Sequence, residues 1–205
     1  DVCSSDLMVS ENLGVSSALE LDGAAVCIQA GTTTELNLAD YFRENKMDYE
    51  AITFDTADQT RAGFESGRCD VLTSDQSQLY AIRIGLKKPE SAVVLPEVIS
   101  KEPLGPVVRQ GDDAWFNIVR WSLMALVEAE FLNIDSAGAD AAMKDGSPAQ
   151  KRLMGSEGDA GDKLGLEANW AYNIVKMVGH YGESFERNVG QGSPIKIARG
   201  INSQW

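Results

Sequence analysis

Apolar and polar positions follow two different rhythms along the chain. Up to about residue 103, short apolar runs trade places with stretches of helical spacing, as in βαβ units around a mostly parallel sheet. Ala24-Ala25-Val26-Cys27-Ile28-Gln29 is a continuous run suited to a strand buried on both faces. The helix after it carries Leu38, Ala39 and Phe42 at helical spacing. Residues 49–54 predict a second strand, followed by a helix over 59–66 that Gly67 closes. Residues 69–73 predict a third strand with a helix over 77–84, and Val93-Val94-Leu95 a fourth strand. The fold class expected is α/β, doubly wound.

Pro103-Leu104-Gly105-Pro106 breaks regular structure and marks a boundary. Beyond it the pattern is mainly helical. Trp115, Ile118, Val119, Ser122, Leu123, Leu126 and Val127 form the stripe of a long amphipathic helix. Shorter helices are expected over 139–144, 150–154 and 170–180, and the tryptophans 115, 121 and 170 read as core. This second half looks too thin to close a domain alone. Net charge shifts at the same boundary, from 18 acids against 8 bases over 1–103 to 13 against 10 over 104–205.

The formal charge of −13 argues against a phosphate-backbone binder, which needs a basic face, and equally against an electrostatic binder of anionic lipid. No apolar run approaches the ~20 residues of a spanning helix. His180 is the sole histidine, so a His-rich metal site is excluded. It reads as the end of a helix beside Gly179. The ends look unfinished. Residues 1–7 fit no periodicity and resemble an adapter-derived tail, with a flexible natural terminus as the alternative, and the chain reads as a fragment whose signal peptide is missing.

Gly31-Thr32-Thr33-Thr34-Glu35, between a buried strand and a helix, is the most informative feature. A helix N-terminus offers unpaired N–H groups and a positive dipole end to an anion; the alternative is an ordinary cap by Thr33 or Thr34. Asp75 stands just beyond the third strand. With strands in the order 2-1-3 it neighbours that turn, at the switch point where ligands bind. An anion turn beside a carboxylate suits an α-amino-acid zwitterion, although Asp75 also suits a helix cap. Cys27 and Cys69 begin from these two strands, as a disulfide or as two buried thiols; neither metal nor redox spacing accompanies them. Ser193-Pro194-Ile195-Lys196 fits S-x-x-K, but Pro194 breaks the turn that would bring Lys196 to Ser193. The glycine-rich residues 155–162 carry three acids and read as a surface loop.

The stretch from Gln29 to Phe42 (QAGTTTELNLADYF) resembles the second lobe of general L-amino-acid-binding periplasmic proteins, the solute-binding components of polar amino-acid ABC importers. Gly67 to Asp75 (GRCDVLTSD), Ile99 to Arg109 (ISKEPLGPVVR) and Phe185 to Gly190 (FERNVG) are similar to the same family. The resemblance runs from about Met8 to Trp205. It implies a two-lobed clamshell of the type II periplasmic binding fold, monomeric when complete, that closes on a free L-amino acid in the periplasm and hands it to an inner-membrane permease. The resemblance also implies a binding protein that is not an enzyme and uses no cofactor. Gly31, Thr32, Thr33 and Thr34 would meet the ligand carboxylate, mainly through backbone at Thr33, and Asp75 the ammonium. Residues 8–103 would form the second lobe. Residues 104–205 would return to the first, whose carboxylate-gripping arginine is absent, leaving apolar surface exposed after Arg109. The alternative on the same fold is a periplasmic dehydratase-like enzyme acting on a small carboxylate, with Glu35 or Asp75 as its acid or base.

Overall fold

The computed structural model describes residues 2–204. Its first compact unit ends at Leu104 and its second begins at Gly105. The first contains a six-stranded sheet built from β1 (Val2–Ser10), β2 (Ala24–Gln29), β3 (Tyr49–Phe54), β4 (Val71–Asp75), β5 (Ala92–Val94) and β6 (Ser100–Pro103). Helices α1 (Thr33–Glu44), α2 (Ala57–Glu65) and α3 (Gln76–Ile84) follow β2, β3 and β4 in turn. As the alternation of patterns predicts, β2 lies between β3 and β4 and runs parallel to both.

The burial of successive residues explains the unbroken apolar runs. Val26, Ile28 and Val71 point to one face, where Leu38 and Phe42 of α1 cover them. Cys27 and Leu72 point to the other, under Phe64 of α2 and Leu79 of α3. A strand covered on both sides has no polar face to alternate with.

The sheet departs from the expectation at its centre. It is mixed rather than mostly parallel, because β1 runs antiparallel to β4, β5 and β6. Residues 4–7, set apart in sequence as a patternless tail, lie in this strand: Leu7 is fully buried, and Ser4, Ser5 and Asp6 are buried with it. Their polarity hides the strand from a hydrophobicity reading, since their partners are hydrogen-bonding groups such as the Gln76 amide, which donates to Asp6 Oδ2 at 2.7 Å.

The second unit consists of α4 (Asp113–Phe131), α5 (Ala139–Asp145), α6 (Pro148–Met154), α7 (Ala160–Leu164), α8 (Trp170–Val178) and α9 (Tyr181–Asn188). It is less thin than its sequence implies. Ala129, Ile134, Ala139, Ala142, Met154 and Val175 form a small core of their own. The long helix turns Ala125 and Ala129 inward, while Trp115 and Trp121, read as core, are about half exposed at 52% and 47%. Phe116, Met124, Phe131 and Met177 are exposed as well. The glycine-rich stretch is not all loop: α7 begins at Ala160 and buries Gly161. Nor does His180 end a helix. Gly179 stops α8, and His180 caps α9, its Nδ1 accepting from the Glu183 amide at 3.3 Å.

Candidate functional site

Strand β2 ends at Gln29, and the chain turns into α1 through Ala30, Gly31 and Thr32. Gly31 has φ of +72°, a left-handed conformation that glycine adopts without steric cost. Its N–H donates to Glu35 Oε2 at 2.9 Å, so the helix's own first-turn carboxylate folds back over the turn. Thr32 occupies the N-cap position, but its hydroxyl makes no cap; it donates inward to the Gln29 carbonyl at 2.8 Å. Thr33 is exposed and Thr34 buried. The first N–H groups of a helix lack intrahelical acceptors, and here the cap residue leaves them uncapped. Helix α2 shows the contrast. There Thr56 and Gln59 form a complete capping box, at 3.3 and 3.2 Å.

Asp75 closes β4 and immediately precedes α3, yet its carboxylate caps nothing. Among the described residues it accepts no hydrogen bond. Burial raises its pKa, and the nearby charge of Glu102 raises it further. Because Cys27 pairs with Leu72 across the parallel β2–β4 ladder, the two strands run out at the same edge of the sheet. Neighbouring strands are about 4.8 Å apart, so the turn and Asp75 stand side by side, as the 2-1-3 order requires.

Three further polar residues join them that sequence reasoning did not assign. Asn37, one turn along α1 from Thr33, donates to Glu102 Oε1 at 2.7 Å and to Ser100 Oγ at 3.0 Å. Ser5 lies opposite Asp75 on one side and Ser100 on the other, which puts Asp75, Ser100 and Glu102 on the α1 face of the sheet. The signal for Asn37 was its spacing of four from Thr33; nothing local points to Glu102, which is brought in from 65 residues away. The two cysteines do form a disulfide, Cys27–Cys69, with Cα atoms 5.6 Å apart. It ties β2 to the residues entering β4. Chemically, the arrangement pairs an anion-accepting helix end with an open carboxylate for a cation.

The chain has the fold of a periplasmic binding protein. It is similar to an ABC transporter periplasmic binding protein from Brucella ovis, solved with glutathione bound, with a TM-score of 0.92 and 50% sequence identity over 100% of this chain and 65% of that one. More particularly, the chain is similar in sequence to proteins named as amino-acid-binding components of ABC transporters. It is 55% identical over 200 residues to the general L-amino acid-binding periplasmic protein AapJ of Rhizobium johnstonii, and 58% identical over 199 residues to the putative amino-acid ABC transporter-binding protein YhdW of Escherichia coli K12. The glutamate/glutamine/aspartate/asparagine-binding protein BztA of Rhodobacter capsulatus is 48% identical over 199 residues. These matches take in 97% of this chain but only 58–59% of each relative's length. No protein-family model matches the chain.

Proposed function

We propose that the chain is part of the solute-binding component of an ABC importer, capturing free L-amino acids in the periplasm and delivering them to a membrane permease. The observation that carries this reading is the uncapped start of α1 beside Asp75, whose carboxylate accepts no hydrogen bond among the described residues, on a chain whose relatives are named for amino-acid binding. The N–H groups opening α1 would take the ligand α-carboxylate, with Thr33 presenting its backbone, and Asp75 would take the α-ammonium by a charge-assisted hydrogen bond. The disulfide accords with an oxidising compartment. The chemistry asked of the site is retention of a ligand, and no geometry here favours the enzymatic alternative: Glu35, one of its two candidate groups, is engaged with the Gly31 amide.

The unit ending at Leu104, with residues 4–7 in its central strand, would form one lobe of the clamp, and the unit beginning at Gly105 would belong to the other. The length that the relatives have in addition would complete that second lobe and cover the apolar side chains of α4. The test is titration of the full-length protein with L-amino acids by calorimetry, alongside two variants. Asp75→Asn removes the charge that holds the ammonium. Thr33→Pro deletes one N–H at the first helical position, where proline is well accommodated, and Thr32 already has the extended conformation proline demands of its predecessor (φ −99°, ψ 158°). Each should weaken binding at least about ten-fold. A folded wild type that binds no amino acid, or variants that bind as tightly as wild type, would overturn the reading.

A further inference from the structure

A helix start reached through Gly31 and Thr32, with Thr33 and Thr34 as its first two residues, is as well suited to phosphate as to a carboxylate, so an amino-acid receptor needs a means of refusing phosphate. We propose that Glu35 is that means: a positioning and selectivity residue that restricts the turn to a single carboxylate and rejects dianions. The inference rests on the amino-acid reading above.

The turn already holds a carboxylate, its own. Glu35 Oε2 occupies the Gly31 N–H at 2.9 Å, and the Thr32 hydroxyl spends its proton on the Gln29 carbonyl at 2.8 Å. Two donors that a phosphate would recruit are thereby withdrawn, leaving the N–H groups that open α1. Two carboxylate oxygens can be served by those. A phosphate has more oxygens to satisfy and up to two charges, and it would place them beside the Glu35 carboxylate. It also brings no ammonium to offset Asp75. An amino acid brings one, so the same acidic surroundings that repel phosphate hold the zwitterion.

The experiment uses the full-length protein, with L-glutamine as an amino acid of uncharged side chain and inorganic phosphate as the dianion, at constant ionic strength set with chloride. Glu35→Gln keeps an oxygen for the Gly31 N–H and removes the charge; Glu35→Ala removes both. In E35Q, phosphate should become a competitor of L-glutamine at least about five-fold stronger than in wild type, roughly the effect of removing one close like charge. Phosphate alone should also raise the melting temperature of E35Q and not of wild type. In E35A, L-glutamine binding should weaken because the turn is no longer held. Equal and negligible phosphate effects in wild type and E35Q, with L-glutamine bound by both, would overturn the selectivity role and leave the function standing. Absence of L-glutamine and all other amino-acid binding to wild type would instead remove the function. The phosphate-induced melting shift reads the selectivity without any amino acid present.

Discussion

Cys27 and Cys69 are joined on the face of the sheet covered by α2 and α3, both nearly inaccessible, and each belongs to a segment that leads to the proposed ligand. Cys27 lies in β2, two residues before the strand gives way to the Gly31 turn; Cys69 sits just ahead of β4, which ends in Asp75. The bridge therefore fixes the two segments whose ends form the candidate site.

Reduction of this bridge should be costly. With a sequence separation of 42, the closed loop removes chain entropy from the unfolded state worth about 4 kcal/mol in the loop-closure model. The urea midpoint of the full-length protein should fall on adding reductant, and Cys27→Ser/Cys69→Ser should match the reduced form. An unchanged midpoint with the thiols demonstrably free would contradict this.

The surroundings of Asp75 give binding an acid limb. Burial raises its pKa, and Glu102 adds to the effect. With the folded value above the unfolded one, the folded state holds its proton more readily, so stability falls as pH rises through the window between the two values and is flat beyond it. Ligand binding has the opposite slope, because the ammonium requires ionised Asp75. Affinity should start to fall, on acidification, at a pH above the ordinary aspartate range. Glu102→Gln should move that onset downward only in part, since burial remains, and Asp75→Asn should abolish the limb along with most of the affinity. Calorimetric titrations between pH 4 and pH 8 are the measurement.

What the sequence made legible follows from locality. The run from Ala24 to Gln29 reads as a strand because every side chain in its middle is apolar, and Leu38 and Phe42 mark the covering face of α1 because their spacing is helical. The turn at Gly31 and its neighbour Asp75 follow from strand order alone. Hidden were features that depend on partners far along the chain. Ser5 and Asp6 are polar and read as a tail, yet lie buried in the central strand. Glu102 sits at the site only because β6 pairs with β1 and Asn37 reaches across to it. His180 fits the end of a helix by local sequence, and only Glu183, answering its cap, reveals that another helix begins there.

Gly161 should resist substitution in the second unit. It is buried in α7, and a Cβ there would collide with the carbonyl oxygen of Glu167 and meet Ala168 Cα at 3.0 Å. These are backbone atoms that cannot rotate aside. Gly161→Ala should lower the stability of this unit by about 2–3 kcal/mol. Gly158→Ala offers the comparison, since it too would add a methyl to a nearby glycine, but in open space, at the cost of a left-handed φ of +90°. Urea unfolding that ranks Gly158→Ala as the more damaging would show that the close approach is not limiting.

The same unit should weaken in acid, for a reason opposite in sign to that at Asp75. Burial pushes the Glu183 pKa upward, but hydrogen bonds from Ser136 and the His180 amide outweigh it and hold the carboxyl below its usual value. Ser136 Oγ donates to it at 2.7 Å, and the His180 N–H at 2.9 Å. A folded value below the unfolded one means stability present at neutral pH and lost as pH falls through the folded pKa. Trp115, Trp121 and Trp170 lie in this unit and residues 1–104 hold no tryptophan, so the fluorescence of these three follows this unit and not the sheet. Urea midpoints read by tryptophan should decline from pH 7 to pH 4. Glu183→Gln should lower the midpoint at pH 7, by about 1 kcal/mol for the weakened charged hydrogen bonds, and flatten the decline. A variant whose midpoint falls as steeply with acid as the wild type would assign the acid sensitivity to other carboxylates.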